Sequence, residues 1–325
     1  MSPEESGQRR RAITGAVQEY LGMAGVVVAL VIVFSLMSPR FFSRLTFTMI
    51  ANQIPSSVIA AVGMTFVLII AGIDLSVGSV LAFTSAVLGV CIVRYELSVP
   101  MAIAACLATG LVCGAINGFV TVKWQLPSFI VTLGMLEMAR GATYLVTDSQ
   151  TQYIGDPIEP IAETALLGVP LPFLLALVIV IVGQLVLSYT VFGRYMIAIG
   201  TNEEAVRLSG IDPRPVKLLV FVVSSFLVSV AAVLHTSRLA SADPNTGTGF
   251  ELQIIAAVVI GGTSLMGGRG SVVRSFFGVL IIAVLGSGLA VIGASEHTKR
   301  LVTGAVIVAA VILDYYRRRL KSKAE

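Results

Sequence analysis

The chain is poor in charge. Only 12% of its 325 residues are Asp, Glu, Lys or Arg, against roughly 25% in a soluble domain. That is too little to cover a water-facing surface. A soluble protein is excluded and an integral membrane protein is left. The apolar stretches are continuous rather than alternating, which points to helices instead of a barrel. Histidine is scarcer still, with His235 and His297 the two copies. No Ser/His/Asp set can be drawn, and histidine-based or metal catalysis is not expected. The three cysteines, Cys91, Cys106 and Cys113, all lie in or beside apolar segments. Their spacing fits neither a metal site nor a disulfide framework, and they read as small packing residues. A phosphate-gripping loop is also missing. The stretch 261–270 is glycine-rich, but it lacks the Gly-Lys-Ser/Thr ending that holds phosphate and Mg²⁺. Energy for any active transport must then come from an ion gradient or another subunit.

What the chain has in abundance is apolar runs of spanning length, about 20 residues each. About ten spans are read: 20–38, 49–72, 76–93, 99–122, 127–147, 170–190, 217–236, 252–268, 274–294 and 299–316. The expected fold is an all-α polytopic bundle. Residues 1–19 are expected to form an N-terminal cytosolic segment, 20–316 the transmembrane domain with a loop at 191–216, and 317–325 a basic tail. Arg9–Arg11 precede the first run in signal-peptide order, yet that run is long and lacks a small-residue cleavage site, so it reads as a retained span.

Net charge is +4. Topology explains it better than a nucleic-acid partner does. With both termini in the cytosol, fifteen of the 22 Lys and Arg residues fall inside, six outside, and Arg140 within a span. The acidic loop 148–169 then lies outside. A weak internal repeat is also visible, 60–79 against 256–271. It would be a parallel repeat, though shared glycine and serine explain it equally well.

Between two apolar segments sits the polar stretch Gly200-Thr-Asn-Glu-Glu-Ala-Val-Arg-Leu-Ser-Gly-Ile-Asp-Pro-Arg-Pro215. Thr201 with Glu204 reads as a capping box. Gly210 is placed to end the helix, and Pro213 and Pro215 prevent its continuation. A two-turn helix is marginal alone in water. The residues leave two readings open: a capped loop on the membrane surface, or a helix presented to a partner.

Polar residues within spans are candidates for a pathway or gate: Asn52, Asp74, Ser76, Asn117, Glu137, Arg140, Thr263 and Ser264. Asp74 and Ser76, beside Gly72 and Gly78, suit either a broken helix or a plain turn capping the third span. Glu137 and Arg140, three apart, are expected to pair on one helix face. Asn52, Asn117, Gln184, Thr263 and Ser264 can bond a hydroxylated solute or simply neighbouring helices.

Four ordered motifs carry a family resemblance. They are Gly63-Met-Thr-Phe with Gly72-Ile-Asp-Leu-Ser-Val-Gly-Ser79; Pro127-Ser-Phe-Ile-Val-Thr-Leu-Gly-Met with Arg140-Gly141; Gly200–Ile211; and Thr246–Gly270. Together they resemble the membrane permease of bacterial simple-sugar ABC importers, over nearly the whole chain beyond the first span. The resemblance implies inward movement of a pentose or hexose across the bacterial inner membrane. It implies that Asn202, Glu203, Glu204, Ala205, Arg207 and Gly210 belong to a coupling helix docking in a groove of an ATPase subunit. ATP and Mg²⁺ would bind that partner, and this chain would be neither an enzyme nor a cofactor binder. A second permease copy and an extracytoplasmic sugar-binding protein are implied too, with Asp243, Asn245, Asp156 and Glu159 as candidate contacts for the latter. Alternatives are an ion-coupled secondary transporter, a passive channel, or an ABC permease for nucleosides, branched-chain amino acids or a furanose signal.

Overall fold

The computed structural model describes residues 3–312 other than 167, 296, 307, 310 and 311, with side chains from residue 20 onward. The basic tail and the end of the last expected span lie outside the described residues; 297–306 are helical. In chain order the elements are α1 (Pro3–Met37), α2 (Arg44–Ile69), α3 (Val77–Val93), α4 (Val99–Lys123), α5 (Ser128–Thr147), β1 (Gln152–Tyr153), α6 (Glu159–Glu163), β2 (Ala165–Leu166), β3 (Val169–Pro170), α7 (Leu171–Tyr189), α8 (Val191–Leu208), α9 (Arg214–Leu239), β4 (Ser241–Ala242), α10 (Phe250–Ile260) and α11 (Val272–Val291).

The architecture is the expected all-α one. Among the described residues seven helices are long and apolar enough to cross a membrane, and α3 and α10 are shorter apolar helices. The chain forms two compact units, one of residues 1–50 and 280–325 and the other of 51–279. In the first, α1 leaves Leu21, Val28, Ile32 and Leu36 exposed, as a lipid-facing helix does. Phe34 is its buried anchor, lying over Gly288 of α11 and 5.5 Å from the Phe41 ring.

The second unit is built on α4 against α9. Gly110, Gly114 and Gly118 recur every four residues and so share one face of α4. Without side chains they admit the α9 backbone: a Cβ on Gly114 would lie 2.6 Å from the Phe221 carbonyl oxygen, and one on Gly110 2.6 Å from Ser229 Cβ. Lipid tails give helices no hydrophobic reason to associate, so close backbone packing of this kind holds them together. Cys106 is fully buried on α4, its thiol 3.6 Å from the Ser229 carbonyl, as a small packing residue.

α4 and α9 run antiparallel, so the unit has two ends. The basic end carries Lys123, Arg194, Arg207, Arg214 and Lys217. The ribbon end carries β1 paired antiparallel with β4, Gln152 opposite Ala242 and Tyr153 opposite Ser241. One expected span needs correction. The run 252–268 is not a full crossing, because α10 covers only Phe250–Ile260, about 16 Å at 1.5 Å per residue. Gly262, Gly267 and Gly268 take positive φ and turn the following segment back into α11. The two halves of the suspected repeat share helix–break–helix order, but one break is extended and the other is this turn.

Candidate functional site

Two breaks in the helical pattern meet inside the second unit. The first, 70–76, leaves α2 at the basic end and climbs alongside the first turns of α5. Its backbone amides would be orphaned in lipid. Hydroxyls of α5 satisfy them: Ser128 Oγ accepts from the Ile73 amide at 2.9 Å, and Thr132 Oγ1 from the Leu75 amide at 3.0 Å. Asp74 is 1% exposed. Its Oδ1 accepts from both the Ser76 amide (2.9 Å) and the Ser76 hydroxyl (2.6 Å), and Asn117 Nδ2 donates to that hydroxyl at 3.0 Å. Asp74 with these donors closes the turn from which α3 begins, beside Thr132, one turn inside α5. The structure therefore favours the broken helix over a turn outside the span.

The second break, 243–249, descends from the ribbon end to the start of α10. Gly247 and Gly249 hold positive φ of 77° and 78°. Gly247 lies with its carbonyl against Gly78 at the start of α3, and Glu251 Oε2 sits in the space a Gly78 side chain would fill. Arg140 fixes the descent by donating from Nη1 to the Pro244 carbonyl (2.7 Å) and the Thr246 carbonyl (2.9 Å). Tyr144, one turn further on α5, donates its hydroxyl to Asn245 Oδ1 at 3.0 Å. The expected Glu137–Arg140 pair is thus a correction. The guanidinium is drawn to carbonyls of the break, and Glu137 stands exposed, with no ion pair among the described residues.

The remaining pathway candidates lie apart from this junction. Asn52 is exposed in the third turn of α2, near the end of that helix opposite to the break that holds Asp74. Thr263 and Ser264 are buried in the turn after α10. Thr263 Oγ1 is 3.4 Å from Ser275 Oγ, which receives the Thr65 hydroxyl at 2.8 Å, while Ser264 Oγ accepts from the Met266 amide. Gln184 Oε1 accepts from Ser271 Oγ at 3.0 Å and the Val273 amide at 3.2 Å. The Thr65–Ser275 and Gln184–Val273 bonds join helix to helix, while the Ser264 bond closes its own turn.

At the basic end α8 bends at Asn202, whose φ of −160° and ψ of 95° are not helical. The first segment is anchored by Gly200, which packs against the Ile69 carbonyl and the Gly268 amide. The second is the short polar helix expected from the sequence, with one correction. Asn202, not Thr201, is its N-cap: Asn202 Oδ1 accepts from the Ala205 amide at 3.0 Å, while the Thr201 hydroxyl turns back to the Ile197 carbonyl at 2.8 Å. Thr201 is still inside the preceding helix, so its side chain follows that helix's geometry. The other end is as expected. Gly210 takes φ +81°; its amide bonds to the Arg207 carbonyl and the Ile211 amide to the Val206 carbonyl, a Schellman closure. Arg207 bonds Glu204 at 2.6 Å and Glu203 bonds Lys217 of α9 at 2.9 Å. The first pair raises the pKa of the already strong Arg207 base by hydrogen bonding; the second ties the helix to a span. A cleft of about 710 Å³ lies behind the helix, lined by Thr121, Gln125, Glu203, Arg207, Asp212 and Lys217 among others.

At the ribbon end, the Ile154 and Gly155 amides bond the Ala240 carbonyl, which brings exposed Asp156 beside the start of the 241–245 loop. Asp243 Oδ1 holds the Asn245 amide at 2.9 Å. Glu159 opens the short α6, half-buried. No local pattern marks Gly78, Gly247 and Glu251 as one junction, or Ser128 and Thr132 as its supports. All five stand in the quoted motifs, but nothing local pairs them.

The family model described as branched-chain amino acid transport system / permease component matches residues 46–311. The chain is 40% identical over 295 residues to the ribose import permease protein of Haemophilus influenzae, covering 89% of this chain and 91% of that one. It is 37% identical over 319 residues to the ribose import permease protein of Bacillus subtilis, covering 95% and 97%, and 33% identical over 308 residues to the L-arabinose transport system permease protein of Escherichia coli, covering 94% of each. No solved structure matches the chain. With spanning helices, buried backbone breaks and these relatives together, the chain is a multi-pass membrane protein that belongs to this family of transport-system permease components.

Proposed function

We propose that the chain is the permease subunit of an ATP-driven importer that moves a simple sugar, a pentose or hexose, into the cell across the bacterial inner membrane. The observation that carries this is its 37–40% identity, over about nine-tenths of its length, to proteins named as ribose import permeases. The family description names branched-chain amino acids, but the relatives at this identity favour the sugar.

Positive-inside bias puts the basic end in the cytosol, with both termini on that side. The helix from Asn202 to Gly210 then faces an ATPase subunit, which binds the ATP and Mg²⁺; this chain binds no cofactor. Two features support the docking role. The helix is capped at both ends, so it can behave as a rigid body. The Glu203–Lys217 bond joins it to α9, so a push on the helix becomes a displacement of a span. A second copy of the chain completes the transporter. An extracytoplasmic binding protein delivers sugar at the ribbon end, where Asp156, Glu159, Asp243 and Asn245 are available.

The test is reconstitution with the cognate ATPase and binding protein. The pair of changes Glu203→Ala and Arg207→Ala should leave membrane insertion intact but abolish ATPase co-purification or sugar-stimulated ATP hydrolysis. Unaltered transport would remove the docking role. Uptake driven by an ion gradient in liposomes containing this chain without any ATPase would replace the proposal with secondary transport.

A further inference from the structure

α5 carries a charge where lipid does not tolerate one. Glu137 is the tenth of the twenty residues from Ser128 to Thr147, about 15 Å from either end of the helix. It is exposed and, among the described residues, makes no hydrogen bond or ion pair. An ionisable group at this depth faces lipid only at high cost, and such residues turn to water-filled cavities or protein. The open face continues on α5: Leu133 and Met138 are exposed, and nothing lies within 4 Å of where a Cβ of Gly134 or Gly141 would be.

This face meets a second polar surface. One and two turns further along α5, Arg140 and Tyr144 hold Thr246 and Asn245 of the descending break. From there the chain exposes Thr248 and Gly249 and, in the first turn of α10, Gln253. These groups follow directly on Thr246, which is bonded to Arg140 near the middle of α5. Arg140 is held to the break through its Nη1 hydrogens, and the exposed polar side chains of the surface are the Glu137 carboxyl, the Thr248 hydroxyl and the Gln253 amide. Such a set exchanges hydrogen bonds with the hydroxyls of a neutral solute.

We infer that Glu137, Thr248 and Gln253 form one wall of the solute path at mid-depth and contact the hydroxyls of a neutral polyhydroxylated solute as it passes. This rests on the permease reading above, and its test separates the two. Cys91, Cys106 and Cys113 are first replaced by alanine. E137C, T248C and Q253C are then labelled in membrane vesicles with a water-soluble methanethiosulfonate. Val178, exposed in the middle of α7, serves as V178C for the lipid-facing reference. Labelling at least tenfold faster than at V178C is expected at all three positions. Rates equal to V178C would overturn the wall. So would spontaneous disulfide linkage of two E137C copies without labelling, which would make the face a packed contact between copies.

The solute contact is read from uptake of labelled D-ribose by cells carrying the chain with its transport partners. Glu137→Ala should lower the maximal rate at least tenfold with unchanged half-saturation and unchanged amount of protein in the membrane, and Glu137→Gln should restore at least a third of it. Uptake by Glu137→Ala at the unmodified rate would overturn the contact even with fast labelling. Absence of uptake by the unmodified chain would instead remove the sugar reading and leave the labelling result standing.

Discussion

Replacing Gly114 by alanine should weaken the chain although alanine is the better helix former. The added Cβ would stand 2.6 Å from the Phe221 carbonyl oxygen, 2.8 Å from Val222 Cα and 2.9 Å from Ser225 Cβ, where ordinary contact begins at 3.4 Å. Two of the three obstacles are backbone and have no rotamer to escape into. α4 and α9 must part by roughly 0.5–0.8 Å, the shortfall from ordinary contact, and forced overpacking of this kind costs about 1–3 kcal/mol. Helix propensity returns about 1 kcal/mol of that. Because backbone blocks the site, the upper part of the range applies, and the net loss is about 2 kcal/mol. In a chain of this size that lowers the melting temperature by roughly 3 °C. The comparison is Gly25→Ala in α1, where nothing lies within 4 Å of the new atom. That change should leave the melting temperature unaltered or raise it slightly. Both are read by thermal unfolding of the detergent-purified chain, followed by loss of the monodisperse size-exclusion peak. Equal melting temperatures for the two variants, within about 1 °C, would refute the close-packing argument.

Two further outcomes follow from the corrections. Asn202→Ala removes the N-cap of the short polar helix, a loss of about 1 kcal/mol, and should speed amide hydrogen exchange of residues 203–208 roughly fivefold; Thr201→Ala, which bonds only to the preceding turn, should leave that exchange unaltered. Arg140→Ala removes two charge-assisted hydrogen bonds, together about 3–6 kcal/mol before relaxation. It should lower the melting temperature more than Gly114→Ala does, with Arg140→Lys in between because an ammonium lacks the guanidinium fork; a Lys variant as unstable as the Ala variant would contradict this.

How far the sequence reached depended on the range of the interaction. The end of the short helix at Gly210 was legible because a Schellman closure is made by residues at most five apart. Its start was misjudged by one position for a tertiary reason. Gly200 is held under α2 and the 267–268 turn, which extends the preceding helix through Thr201 and moves the bend to Asn202. Arg140 shows the same limit more strongly. Spacing on one helix suggested Glu137, three residues away, but the carbonyls that hold it are 104 and 106 residues distant.

By itself, the sequence determined that this is a helical membrane protein, because its scarce charge cannot cover a soluble surface. It also determined where most spans lie, that the chain lacks a phosphate-gripping motif, and that a capped polar helix sits between two spans. Each follows from composition or from neighbours within a few residues. Only the tertiary structure decided that two helix breaks meet inside the second unit, with Gly78 against Gly247 and α5 hydroxyls taking the amides of the first. Backbone that leaves the helix inside a bilayer must find its hydrogen bonds on other segments, and which segments supply them is set by the packing of distant parts of the chain.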